Sequence, residues 1–131
     1  MLEHGQLTEP IIKAFYKVYN TLGHGFLEKV YENALVIELR TMGLKAAQQC
    51  PITIFYDGHV VGNYFADIMV EDLVIVELKA AAAIDKSHEA QLLNYLRATA
   101  IEVGLLLNFG LKPEFKRKIF MNNKKIGPRK Q

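Results

Sequence analysis

Apolar residues at Ile11, Ile12, Phe15, Val18, Tyr19 and Leu22 recur at the spacing of one helix face. They predict a helix over "LTEPIIKAFYKVYNTL", with Thr8 as its N-cap, Pro10 in its first turn and Gly23 as its stop. After the break at "GHG" (23–25), a second helix runs from about 26 to 42 and is ended by Gly43. The period then changes. "AAQQCPITIFY" (46–56) and "HVVGNYFADIMV" (59–70) read as strands joined by Asp57-Gly58, a two-residue hairpin signal. Pro51 makes the first of them an edge strand, or starts it. Glu71-Asp72 is a second tight turn, into the strand "LVIVELK" (73–79). "AIDKSHEAQLLNYLRAT" (83–99) reads as a third helix and "EVGLLLNFG" (102–110) as a buried strand. "FKRKIFM" (115–121), after a turn at Lys112-Pro113, reads as a last strand. This order predicts an α/β domain with a central mixed β-sheet flanked by helices. A right-handed βαβ crossover would link the third and fourth strands.

Composition narrows the class. The 131 residues fit one domain, 1–131, and half are hydrophobic, enough for a core without disulfides. Cys50 is the one cysteine, which suits the cytosol. The N-terminus has no basic region leading into an apolar one, so no signal peptide is expected. No apolar run approaches the roughly 20 residues of a membrane span, so no membrane partner is expected. The net charge of +2 is unevenly spread. From Lys112 onward eight basic residues face one acid, Glu114, for a net +7, and residues 1–111 carry −5. Such a basic segment (112–131), with Lys116, Arg117, Lys118, Lys124 and Lys125, is an electrostatic footprint for nucleic acid or else a solvated, partly disordered end.

"LVIVELK" begins as a strand buried on both faces and ends with an acid and a base, where burial without partners costs several kcal/mol or more. Alternation places Val74, Val76 and Leu78 on one side and Ile75, Glu77 and Lys79 on the other. Antiparallel pairing about Glu71-Asp72 brings Asp67 of the preceding strand near Glu77. Two such carboxylates repel, and one pKa rises unless a cation sits between them. Mg²⁺ suits a few hard carboxylate oxygens with water as the remainder. Lys79 stands next in the row, placed to hold a metal-bound water or meet developing phosphate charge. Glu28 lies about 20° from Leu35 and Leu39, at the edge of its helix's apolar arc. His88, Gln91 and Tyr95 form a polar stripe beside Leu92, Leu93 and Leu96 and need partners. No Cys or His pair has zinc-ligand spacing. Tyr31 reads as core, and Asn20 and Asn108, near element ends, read as turn residues.

Asp67 followed by Glu77-x-Lys79 resembles the PD-(D/E)xK nuclease signature, with Ala66 where that signature has proline. Gln91-x-x-x-Tyr95 is similar to the motif of its RecB-like members, and "GFLEKVY" fits the GxxExxY pattern through Gly25, Glu28 and Tyr31. The chain resembles the small bacterial GxxExxY family of that superfamily over about 8–120. The resemblance implies a restriction-endonuclease-like core and a Mg²⁺ or Mn²⁺ site. In it Asp67 and Glu77 are ligands, the Leu78 carbonyl a third, and Glu28 a further ligand or an orienter of metal-bound water. Lys79 assists the attacking water, and Gln91 and Tyr95 orient Lys79 or contact the substrate backbone. The implied reaction is phosphodiester hydrolysis in nucleic acid, DNA ahead of RNA. Two other classes remain open: a non-catalytic nucleic-acid-binding module, and a small interaction subunit that dimerises or docks on a larger complex.

Overall fold

The computed structural model describes residues 4–125. Helices α1 (His4–Leu22) and α2 (Glu28–Thr41) precede a meander of β1 (Ala46–Tyr56), β2 (His59–Val70) and β3 (Val74–Lys79). Helix α3 (Lys86–Ala98), β4 (Val103–Phe109), β5 (Pro113–Ile119) and a short 3₁₀ turn at Asn122–Lys124 follow. The strands lie in chain order across one five-stranded sheet. β3 and β4 are parallel, and the other neighbours are antiparallel.

The sheet is covered on both faces because its central strands are apolar on both. Phe15 of α1 and Tyr31, Leu35 and Leu39 of α2 pack with Val74, Val76 and Leu78 of β3 and with Leu105 and Leu107 of β4. Leu92, Tyr95 and Leu96 of α3 pack with Ile75 and Leu106 from the other side. Gly104 lets α3 close on β4, since a Cβ there would run into the Leu92 side chain.

One expectation about the elements needs correction. Thr8 does not cap α1, which begins at His4 and carries Pro10 in its interior. The apolar stripe reaches back through Leu7, and burying that side chain extends the helix past Thr8. Thr8 is itself buried, and its hydroxyl accepts a 3.2 Å bond from Arg117 Nη1. The last strand expected over "FKRKIFM" is present, so the basic segment is not a loose end through 113–119. Those residues are β5, paired along β4. Arg129 and Lys130 lie outside the described residues.

Pro51 sits in β1, the sheet's edge strand, where its missing N–H interrupts no inner ladder. Asp57 and Gly58 both have positive φ, as a tight hairpin turn requires. β2 pairs with β3 only from Ile68 to Val70, so 59–66 pair with β1 alone and form a two-stranded arm.

Candidate active site

The backbone ladder between β2 and β3 ends at Ile68 and Val76. The next opposed pair is Asp67 and Glu77, and there side chains take over. The Asp67 N–H donates to Glu77 Oε2 at 2.8 Å, and the Leu78 N–H donates to Asp67 Oδ2 at 2.9 Å. Each carboxylate is therefore bonded to the main chain of the neighbouring strand and satisfies an amide at the point where the ladder stops. Glu77 is 5% exposed. Burial, and then the Asp67 charge, push its carboxyl up from 4.5 to about 8. Burial also raises Asp67, against the pull of its bond from Leu78. The Lys79 charge lowers both without cancelling the burial.

The helices complete the site. Glu28 is the first residue of α2 and accepts from the Ala80 N–H at 3.3 Å. One turn on along α2 is Tyr31, a core residue whose ring stacks on Phe109 with centroids 4.2 Å apart. The Tyr31 hydroxyl donates to the Gly23 carbonyl at 2.6 Å and accepts from the Phe26 N–H at 3.2 Å, folding the 23–26 turn over the helix start. On α3, Gln91 Nε2 donates to the Tyr95 hydroxyl at 3.1 Å. Burial and the charges of Glu77 and Asp67 push that hydroxyl up to about 12, so it stays protonated beside the carboxylates. A cavity of about 320 Å³ is lined by Glu28, Asp67, Glu77, Leu78, Lys79, Gln91 and Tyr95 together with Phe65. His88 leaves this row: its Nδ1 accepts from the Asp85 N–H at 3.1 Å in the capping box of α3.

The roles of three residues were not anticipated. Glu32 is 3% exposed and raises the pKa of both Asp67 and Glu77. It is bonded by Gln48 at 2.7 Å, Gln49 at 3.0 Å and Lys29 at 3.0 Å. Gln49, whose backbone has φ of 53°, also works against the raised pKa of Asp67. The available signal was Glu32 at three- and seven-residue spacing from Leu35 and Leu39, an acid on the apolar stripe. Asn108 is the third. It is a fully buried strand residue, not a turn residue, and its amide bonds both the N–H (2.9 Å) and the carbonyl (3.0 Å) of Ala81.

The basic residues stand apart from the cavity. Lys116, Arg117 and Lys118 lie on β5, the far edge strand. Lys118 is paired with Glu89 at 2.6 Å and Arg117 is bonded to Thr8. Lys116 and Lys124 are exposed. Lys125 is corrected from a phosphate contact to a structural tie: it is 5% exposed, and its ammonium donates to the carbonyls of Thr99 (3.0 Å) and Ile101 (2.6 Å).

Among the described residues, no three His, Cys, Asp or Glu side chains come together as a metal cluster. The acidic cavity instead offers the carboxylate pair of Asp67 and Glu77, with Glu28 at its rim. That set fits Mg²⁺ or Mn²⁺, which are held through one or two carboxylates with the remaining positions hydrated. Among the same residues no helix is long and apolar enough to cross a membrane.

A family model of the PD-(D/E)XK nuclease superfamily matches residues 5–118. A solved structure described as "Crystal structure of SSO0001" is similar with a TM-score of 0.50 and 15% identity, a likeness of fold alone. That match covers 89% of this chain and 59% of the other, so this chain spans little more than half of its length. No curated protein matches the sequence. With the mixed five-stranded sheet and the acid pair at the end of its central strand, the chain belongs to the PD-(D/E)XK nuclease superfamily.

Proposed function

We propose that this protein is a Mg²⁺- or Mn²⁺-dependent phosphodiesterase of nucleic acid, DNA ahead of RNA, and a member of the GxxExxY group. The GxxExxY reading is supported by local physics. Gly25 has φ of 113°, which a side chain resists, Glu28 opens α2 into the cavity, and Tyr31 ties the turn between them. A free thiol at Cys50 suits a cytosolic setting.

Asp67 and Glu77 would hold the ion, with the Leu78 carbonyl and Glu28 as further oxygen donors. The bound ion supplies Lewis-acid stabilisation of phosphate charge and a more acidic water. Lys79 orients the attacking water and meets the charge that builds on phosphate. Gln91 bonds the Tyr95 hydroxyl, which stays protonated beside the carboxylates. One observation carries this reading: two carboxylates side by side, Glu77 buried and Asp67 half-buried, each bonded to the other's strand, with Glu77 pushed to about 8 by burial and by the Asp67 charge.

The test is cleavage of labelled oligonucleotides with Mg²⁺, Mn²⁺ or EDTA, by wild type and by folded Asp67→Asn, Glu77→Gln and Lys79→Ala variants. Cleavage should need the ion and fall at least a hundredfold in each variant. Activity that survives all three changes would refute the site. Metal-indifferent binding without cleavage would instead identify a nucleic-acid-binding module.

A further inference from the structure

A second cavity, about 650 Å³, opens between the β1–β2 arm and α3. Gln91 and Tyr95 line both cavities, so the two adjoin. The chemistry changes across that shared wall. The acidic cavity carries the carboxylates of Glu28, Asp67 and Glu77. The larger one carries no carboxylate; its cation is the exposed Arg97, with the imidazole of His88 and the amide of Asn94 beside it.

Its arm-side wall is a ring. Tyr64 is 48% exposed, tilted against the Tyr95 ring with centroids 5.8 Å apart, and set beside the apolar side chain of Ile54. The next residue, Phe65, is 54% exposed and lines the acidic cavity itself. An aromatic face is thus offered on each side of the shared wall. Both rings are about half exposed, on an arm whose residues 59–66 pair with β1 alone.

A flat aromatic face, amide groups that can bond a base edge, one cation and no acid together complement a nucleobase with its flanking phosphate. The volume lies in the range of small-ligand sites, about 300–1,000 Å³. A paired base hides its faces in the stack and cannot present one to Tyr64; an unpaired base can.

We infer that this groove seats unpaired bases of the same strand whose phosphodiester enters the acidic cavity, which makes single-stranded nucleic acid the substrate class. The inference rests on the nuclease reading for the place of the cut phosphate, but the binding it predicts is measured without metal. The probes are a fluorescent oligothymidylate and a blunt duplex of the same length, followed by anisotropy in EDTA.

The single strand should bind more tightly than the duplex. Tyr64→Ala should weaken it about tenfold or more, and Tyr64→Phe, which keeps the ring, should restore it. Arg97→Gln, at an exposed site, should lower the slope of log affinity against log salt by about 0.7. Equal binding of duplex and single strand, or wild-type affinity in Tyr64→Ala, would overturn the inference. Failure of the nuclease reading looks different: this binding pattern intact, with no cleavage by wild type in Mg²⁺ or Mn²⁺.

Discussion

Glu77 combines burial in a strand interior with a second carboxylate, Asp67, on the adjoining strand. Its surroundings are Asp67 and Glu32, which oppose its ionisation, and Lys79, which favours it less than burial disfavours it. An acid whose folded pKa lies above its unfolded value holds its proton more tightly when folded. The stability this gives is fully present below about 4.5 and is lost as pH rises through about 8. Metal-free protein should therefore melt at falling temperature across that window, and Glu77→Gln should remove most of the slope. A divalent ion should act oppositely, stabilising more above pH 8, where no proton competes for the carboxylate. Melts over a pH series in EDTA and in Mn²⁺ measure both effects; coincident wild-type and Glu77→Gln profiles would refute the assignment. The pairing of Asp67 with Glu77 was legible because strand alternation and one two-residue turn are local rules. Glu32 was not, because its partners Gln48 and Gln49 are reached only after α2 and β1 have packed.

Among the elements, the segment that leaves β3 decides how firmly Lys79 is presented. Ala80 is bonded to Glu28 and Ala81 to Asn108, so the loop is tied to α2 on one side and β4 on the other. Gly110 completes the seat, since a Cβ there would collide with the Ala81 carbonyl oxygen. Asn108→Ala leaves the amide and carbonyl of Ala81 without this partner and should cost about 2 kcal/mol in urea unfolding. Amide exchange at Ala81 should speed up by more than the global change, because the loop is released locally. Exchange that tracks global unfolding alone would show that Asn108 does not hold this loop. The elements themselves were largely legible: the three helices, the DG hairpin and the apolar runs follow short periodicities. The role of Asn108 was not, because its partner Ala81 lies 27 positions away.

At the scale of the whole molecule, charge and site are separated across the sheet. The acids collect at the end of the central strand β3, while the basic residues follow the far edge through β5. The sequence total of +7 from 112 onward overstates the surface offered to phosphates. Arg117 reaches Thr8, Lys118 pairs with Glu89, and Lys125 is buried under two carbonyls. The exposed cations of this edge, among the described residues, are Lys112, Lys116, Arg117 and Lys124. Stability and binding should therefore divide between side chains that look alike in the sequence. Lys125→Ala removes an ammonium that joins the α3–β4 connection to the C-terminal segment, and should cost about 2 kcal/mol in urea unfolding. Lys116→Ala and Lys124→Ala should leave unfolding within about 0.5 kcal/mol of wild type. Where their ammonium groups meet phosphate, each should lower the salt slope for single-stranded oligonucleotide by about 0.7. Unfolding curves and anisotropy at several salt concentrations, run on the same three variants, separate the roles. A loss of salt slope in stable Lys125→Ala, with none in Lys116→Ala or Lys124→Ala, would return Lys125 to the binding surface and remove the exposed edge from it.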